Sequence, residues 1–265
     1  MPTDPPPTEL EPLRFSRLSL MRKSAAHYQH GSDGETGAMR KGSALHSYLL
    51  GQRERVVLYE GGARNPRFKV WQEFQAANED KHILIPSEMG PVQGMRRSLE
   101  RHPRAMELLD GIQEERIEWD LSGRACAGTP DVVHLLSDGR KRVVELKTSR
   151  TADPNLLRWH ARNLAYHAQI SWYATGLERT MAYAQGPVAE AFLVAVESTP
   201  PYPVTVLRVC ESMLTAGQRQ WRLWFERLRV CEATHHFPGY AEGDVDWEDD
   251  GGEVELDWDD DSEAA

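Results

Sequence analysis

The tightest constraint on this 265-residue chain is one stretch near its middle, Pro130-Asp131 through Glu145-Leu146-Lys147, interrupted by Asp138-Gly139. Asp-Gly between two apolar runs is a strong β-hairpin signal. Within a strand, side chains at i and i+2 share a face, so Glu145 and Lys147 project together. The face taken by Asp131 depends on the turn. A two-residue Asp138-Gly139 loop sets Asp131 opposite Leu146, on the wrong face. A three-residue loop, Ser137-Asp138-Gly139, with Gly139 left-handed in a G1 bulge, sets it opposite Glu145. That loop type wants glycine at its third position, and glycine is there. The bulged loop is the expectation, and it gathers two acids and a lysine at the strand ends.

Side chains of these types have a chemistry in common. Two carboxylates supply hard oxygen ligands for Mg²⁺, with Mn²⁺ as a substitute, and the ion takes its other ligands from water and phosphate. Such an ion lowers the pKa of a bound water and neutralises charge on a phosphate. Lys147 can position that water or offset phosphate charge, and the Leu146 backbone carbonyl is a further ligand candidate. An exposed Glu-x-Lys on a strand is usually just a solvated ion pair. What sets this one apart is its frame: Pro-Asp on one strand, a tight turn, then Val143-Val144 leading into Glu-Leu-Lys-Thr.

The rest of the chain reads as strands flanked by helices. Ser16 is placed to cap a helix running towards Tyr28, and after the Gly-rich stretch Gly31 to Gly37 a second helix spans about Ala38 to Leu50. Short strands are expected at Val56 to Tyr59 and His82 to Ile85, with helices at Glu88 to Glu100 and Ala105 to Ile112. A strand at Arg116 to Asp120 turns at Leu121-Ser122-Gly123 into one long strand through Leu136, which returns as Arg142 to Lys147. Asp153-Pro154 opens a helical region, followed by a helix over Leu164 to Leu177. Buried-type strands follow at Ala191 to Val196 and Val204 to Val209, and an amphipathic helix at about Met213 to Val230. The fold class is α/β, a mixed central sheet between helices.

Composition divides the chain into three. Residues 1–14 are Pro-rich and read as a disordered arm, residues 15–240 as the folded domain, and residues 241–265 as a disordered acidic tail. The net charge of −10 conceals this asymmetry. The last 25 residues hold 13 acidic side chains and no basic ones, leaving 31 basic against 28 acidic residues in 1–240. The body is mildly basic. Cys126, Cys210 and Cys231 are odd in number and widely spaced, so neither a disulfide frame nor a zinc knuckle is expected. No apolar run is long enough to span a bilayer, and the N-terminus lacks the layout of a signal peptide. A cytoplasmic protein without membrane contact is expected.

In order along the chain stand Ser16-Arg17-Leu18 leading to Tyr28, and Lys41-Gly42-Ser43-Ala44-Leu45-His46 running to Leu50. After them come His102-Pro103 with Leu108-Leu109-Asp110-Gly111, Glu118-Trp119, Thr129-Pro130-Asp131 and Glu145-Leu146-Lys147-Thr148. Tyr166 through Tyr173 with Gln169, and Pro238-Gly239-Tyr240, complete the series. This series resembles the RecB-type nucleases of the PD-(D/E)xK superfamily, specifically the C-terminal nuclease group of exodeoxyribonuclease VIII (RecE). The likeness spans about Phe15 to Tyr240. It implies a restriction-endonuclease-like core with Asp131, Glu145 and Lys147 as the catalytic set. It makes His46 a metal ligand beside Asp131 and Glu145, and sets Gln169, Tyr173 and Thr148 beside a DNA strand.

The resemblance further implies exonuclease action on double-stranded DNA ends, 5′→3′, supplying a single-strand annealing protein in recombination, with a homo-oligomer plausible by analogy. A metal-dependent endonuclease and a non-catalytic DNA-binding module are the competing classes. Glu145 stands where the group often has aspartate. The cysteines of iron–sulfur relatives are absent, with Ala25-Ala26-His27-Tyr28 in their place, so no cluster is expected. Glu114, Glu115 and Glu118 compete as an accessory acid. Arg64, Arg67 and Lys69, with Phe68 and Trp71, form a basic-aromatic cluster suited to phosphates or an end base.

Overall fold

The computed structural model describes residues 11–31, 36–180 and 186–240. In chain order the elements are β1 (Leu13–Arg14), α1 (Phe15–Leu18), α2 (Ala25–His30), α3 (Gly37–Leu49), β2 (Val56–Leu58), α4 (Lys69–Ala76), β3 (His82–Leu84), α5 (Pro86–Glu100) and α6 (Pro103–Leu109). Then follow β4 (Ile112–Gln113), β5 (Ile117–Leu121), β6 (Arg124–Gly128), β7 (Val132–Leu135), β8 (Lys141–Ser149), α7 (Pro154–Asn163), α8 (Tyr166–Arg179), β9 (Val188–Glu197), β10 (Val204–Arg208) and α9 (Glu211–Thr234). Among the described residues, no helix is long and apolar enough to cross a membrane.

A five-stranded sheet in the order β10-β9-β8-β7-β4 forms the centre. Only its β8–β9 pair is parallel, which makes it the mixed sheet that the sequence implies. Period-two alternation along β7, β8 and β9 feeds two separate cores. Val133, Val143, Ala191 and Leu193 face a layer containing Ile170, Trp172, Trp221 and Trp224 of α8 and α9. Val132, Val144, Leu146, Phe192 and Val194 face Leu45, Val92, Met95 and Leu108 of α3, α5 and α6. Each fully buried Leu or Val in these layers contributes roughly 1.5–3 kcal/mol. A second sheet, β1-β6-β5, joins the first core, and β2 pairs with β3 in parallel apart from both.

Three readings of the sequence are corrected. Leu13 and Arg14, assigned to the arm, pair in parallel with Cys126 and Ala127, and Leu13 is buried. Residues 1–10 of that arm and the tail, 241–265, lie outside the described residues. The helix expected from Ser16 to Tyr28 is two helices joined by a 3-10 turn, with Ser24 accepting the His27 N–H to start the second. The single strand expected through Leu136 is two, and they belong to different sheets. Pro130, which lacks a backbone N–H, ends the ladder between β6 and β7.

That break shapes the hairpin. Gly139 has φ +80°, its N–H donates to Leu136 O at 2.9 Å, and Leu136 N–H donates to Arg140 O at 2.8 Å. This is the three-residue loop with its left-handed third position. The pairs Val132↔Val144 and Leu135↔Lys141 share its register. Continued by one step, that register sets Asp131 opposite Glu145.

Candidate active site

Asp131 leaves the regular ladder, and its backbone is held instead by the site. Its N–H donates to Glu145 Oε1 at 3.2 Å, and its carbonyl accepts the Glu114 N–H at 3.0 Å. Its side-chain Oδ2 accepts the Leu146 N–H at 2.7 Å. Lys147 Nζ donates to Glu145 Oε2 at 2.8 Å; the Lys147 side chain is 18% exposed and that of Glu145 only 1%. Each carboxylate therefore uses one oxygen on a backbone N–H and keeps the other for a side chain. Helix α3 closes the cluster from the end of the strand. His46 Nδ1 lies 3.4 Å from Asp131 Oδ1. One helical turn earlier, a Cβ on Gly42 would stand 3.2 Å from Thr148 Oγ1. A glycine there lets the helix approach β8 closely enough for His46 to reach the acid.

The charges in this pocket strain against each other. Burial, and then the neighbouring Asp131, push the Glu145 carboxyl up to about 7. Burial acts on Asp131 in the same direction, but His46, Lys147 and the Leu146 N–H outweigh it and hold that carboxyl below its ordinary value. Burial disfavours the Lys147 and His46 cations, yet the Glu145 and Asp131 carboxylates hold Lys147 above its usual range, and Asp131 raises His46. Once Glu145 is ionised, two carboxylates at close quarters with Lys147 as the full cation beside them leave an excess of negative potential.

That excess is the observation that fits a divalent cation, which these two acids could hold with water completing its shell. Among the described residues, no group of three histidine, cysteine or acidic side chains is closed around a common metal position. The donor set on hand is Asp131 and Glu145, with His46 held against Asp131. Leu146 meets the site through its N–H. His46→Ala is expected to weaken cation binding with little loss of melting temperature, and excess Mn²⁺ should recover part of any activity lost. A fall in thermal stability with unchanged metal dependence would assign His46 to packing instead; melting curves and metal titrations on one preparation separate the two.

Helix α8 lies over the same end of the sheet. Gln169 Nε2 donates to Tyr173 Oη at 3.0 Å, and burial, followed by Glu145, pushes the Tyr173 phenol up. The Tyr166 ring centroid lies 5.6 Å from Lys147 Nζ, a cation–π contact given no role in the sequence reading. Its signal was the i, i+7 spacing from Tyr173 on one helix face. Beside Gln169 and Tyr173 opens a cavity of about 310 Å³, also lined by Arg14, Ser16 and Thr129.

Of the three accessory acids, Glu114 is the one at the site. Its backbone bonds Asp131, its carboxylate accepts a hydrogen bond from the Gln52 amide, and burial pushes its pKa up. Glu115 is exposed, and Glu118 pairs with Arg116 at 2.6 Å. The basic-aromatic cluster is divided. Arg64 Nη1 donates to Glu88 Oε1 at 2.8 Å and its other nitrogen reaches the Ile83 carbonyl, while Trp71 is buried against Tyr59. Arg67, Phe68 and Lys69 remain on the surface, Lys69 3.6 Å from Glu73.

Comparison with known proteins bears on the fold and the family. No curated protein matches the chain. Among solved structures, one from Eubacterium rectale, named as a candidate exonuclease, superposes with a TM-score of 0.62 at 13% identity, covering 88% of this chain and 86% of its own. At that identity the likeness shows the fold alone. The structure of SSO0001 covers 78% of this chain and 85% of its own at 13% identity, with a TM-score of 0.29 that carries no argument. The family described as a PDDEXK-like domain of unknown function (DUF3799) matches residues 14–246, which include every residue of the cluster. The chain belongs to this PDDEXK-like family.

Proposed function

We propose that the chain is a Mg²⁺-dependent deoxyribonuclease that hydrolyses phosphodiester bonds from the ends of duplex DNA, in the 5′→3′ direction. The observation that carries this reading is the buried cluster of Asp131, Glu145 and Lys147 on one end of the central hairpin. A divalent ion held there would lower the pKa of a bound water and neutralise phosphate charge. The chain's own part is placement. Backbone N–H groups fix both carboxylates, and Glu145 holds the Lys147 ammonium, which would serve as the donor to an incoming phosphate oxygen. The Tyr166 ring lies against the ammonium, and the partial burial of the Lys147 side chain strengthens its pull on an anion.

The preference for ends, the polarity, and service to a single-strand annealing protein in phage or bacterial recombination are supported by the RecE-type order of motifs. So are Gln169, Tyr173 and Thr148 as contacts to the strand and assembly as a homo-oligomer. Arg67 and Lys69, exposed beside Phe68, join the proposal as outer phosphate contacts on their basic-aromatic composition, and a cytoplasmic setting is part of the same proposal. Digestion of linear, nicked and covalently closed duplex with Mg²⁺, with label at either end, tests the reading. Loss of label from 5′ ends of linear duplex alone is expected. Cutting of closed circles would make the enzyme an endonuclease, and an inert preparation would leave a DNA-binding module.

The acidic segment 241–265, with 13 carboxylates and no basic residue, has the charge of a competitor for DNA, and competition with DNA is part of the proposal. Its removal is expected to tighten DNA binding, and more so at about 20 mM salt than at about 200 mM, because screening hides charge repulsion at the higher value. Equal affinities for the full-length and shortened proteins at both salts would end the idea that this segment competes with DNA.

A further inference from the structure

A second cavity, of about 710 Å³, lies between α7, the start of α8 and the outer strands β9 and β10. Its floor is apolar, with Ile170, Leu193 and Leu207. Trp159, 47% exposed, and Tyr166 offer flat aromatic surface. Arg158, Arg162 and Arg208 surround it, all exposed, and none of the three guanidinium groups meets a hydrogen-bond or ion-pair partner among the described residues. Three unneutralised arginines around an apolar, aromatic hollow call for a ligand that is flat, apolar-faced and anionic.

Its position relates it to the acids. Glu145 pairs with Leu193, and Leu193 with Leu207, so the three side chains form one row across β8, β9 and β10 on one face of the sheet. At a strand spacing of about 4.8 Å, the cavity floor begins about 5 Å from the Glu145 row and reaches about 10 Å from it. Tyr166, whose ring touches Lys147, also lines the hollow. A group seated here is the immediate neighbour of one seated on the acids.

We propose that this cavity binds the nucleotide adjoining the scissile phosphate, with its base on Trp159 and Tyr166 and its phosphate between the arginines. The proposal deepens the nuclease reading and rests on it for the word scissile. Base stacking and apolar burial are served by the floor and the two rings, and the guanidinium forks suit phosphate oxygens. Charge also suits the acidic segment of this chain, but that segment has only two aromatic side chains, Trp247 and Trp258, so most of it would leave the apolar floor bare.

Cys210 provides a reporter in the unaltered full-length protein. It lines the cavity and is exposed, whereas Cys126 and Cys231 are buried. The Ser212 hydroxyl, 3.1 Å away, holds its thiol below the ordinary pKa, which favours alkylation. The rate of Cys210 alkylation by iodoacetamide is to be followed with deoxyadenosine 5′-monophosphate added up to about 10 mM. Saturable protection is expected, much weaker with inorganic phosphate alone. Trp159→Ala should weaken the nucleotide about 5- to 150-fold, the range of one stacked base, and Arg158→Glu with Arg162→Glu should abolish protection. Asp131→Asn should leave it intact.

Arg158, Trp159 and Arg162 are on the surface, and rates are compared with the same variant free of nucleotide, so altered thiol reactivity does not enter. Absence of protection, equal protection by phosphate, or indifference to both variants overturns the proposal. So does protection that emerges only after removal of residues 241–265, since the segment would then be the occupant. DNA digestion by the same preparations separates the two claims: active enzyme without protection sinks the cavity alone, and protection without digestion sinks the nuclease reading.

Discussion

Lys147→Gln is expected to lower DNA hydrolysis about 10²–10³-fold while leaving the chain folded and able to bind DNA. The ammonium is the one full cation against two buried carboxylates, and it is held by Glu145 at 2.8 Å with Tyr166 beneath it. Glutamine retains a donor for Glu145 Oε2, so the fold does not inherit an unpartnered buried carboxylate. Alanine would leave one, and breaking a buried pair costs about 3–5 kcal/mol, enough to confuse lost chemistry with lost structure. Asp131→Asn tests the other side of the cluster. It keeps an acceptor for the Leu146 N–H but removes the charge that faces His46. Initial rates on end-labelled linear duplex, paired with melting curves, decide the matter. A well-folded Lys147→Gln protein digesting within a few-fold of the native rate would remove the lysine from the chemistry.

The part of the site legible in the sequence was the part governed by local geometry. Gly139 fixes the loop, the loop fixes the register, and the register places Asp131 against Glu145. Strand periodicity did the rest for Lys147. The misreadings have a different origin. The long strand through Leu136 looked continuous because residues on both sides of Thr129-Pro130 suit strands, and only the three-dimensional arrangement shows that they join different sheets. Arg64 resembled a free surface cation because Glu88, its partner, is 24 positions away on another element. Glu114 could not be told from Glu115 and Glu118, since its approach to the site follows from a left-handed backbone, φ 48°, and from Gln52, 62 positions earlier. Contacts that depend on which helix crosses which strand leave no periodic trace. The resemblance to RecE-type nucleases supplied His46, and the crossing of α3 over β8 is what gives that residue a place in the cluster.

A divalent cation is expected to raise the melting temperature, and by more as the pH rises from about 5 to about 8. The sign follows from the groups in the cluster. In the metal-free protein the Glu145 carboxyl is raised from 4.5 to about 7, by burial first and Asp131 second, and His46 is raised above 6.5, Asp131 prevailing over burial. Both hold protons that the unfolded chain has released. Their stabilising contributions are therefore complete below the unfolded values and are lost as pH climbs through the folded ones. Asp131 is depressed below 3.8 and Lys147 raised above 10.5, so the changes they bring lie outside this window. Metal-free protein should thus lose stability between about pH 5 and 8 from these two groups, while the same deprotonation creates the site a cation needs. At about 100 times its dissociation constant, Mg²⁺ or Mn²⁺ would contribute about 2.7 kcal/mol, or roughly 5–10 °C for a domain of this size. Thermal scans at several pH values, after chelation and after metal addition, measure both slopes. The increment should vanish in Asp131→Asn. An increment that shrinks with rising pH, or that survives this substitution unchanged, would place the cation elsewhere on the protein.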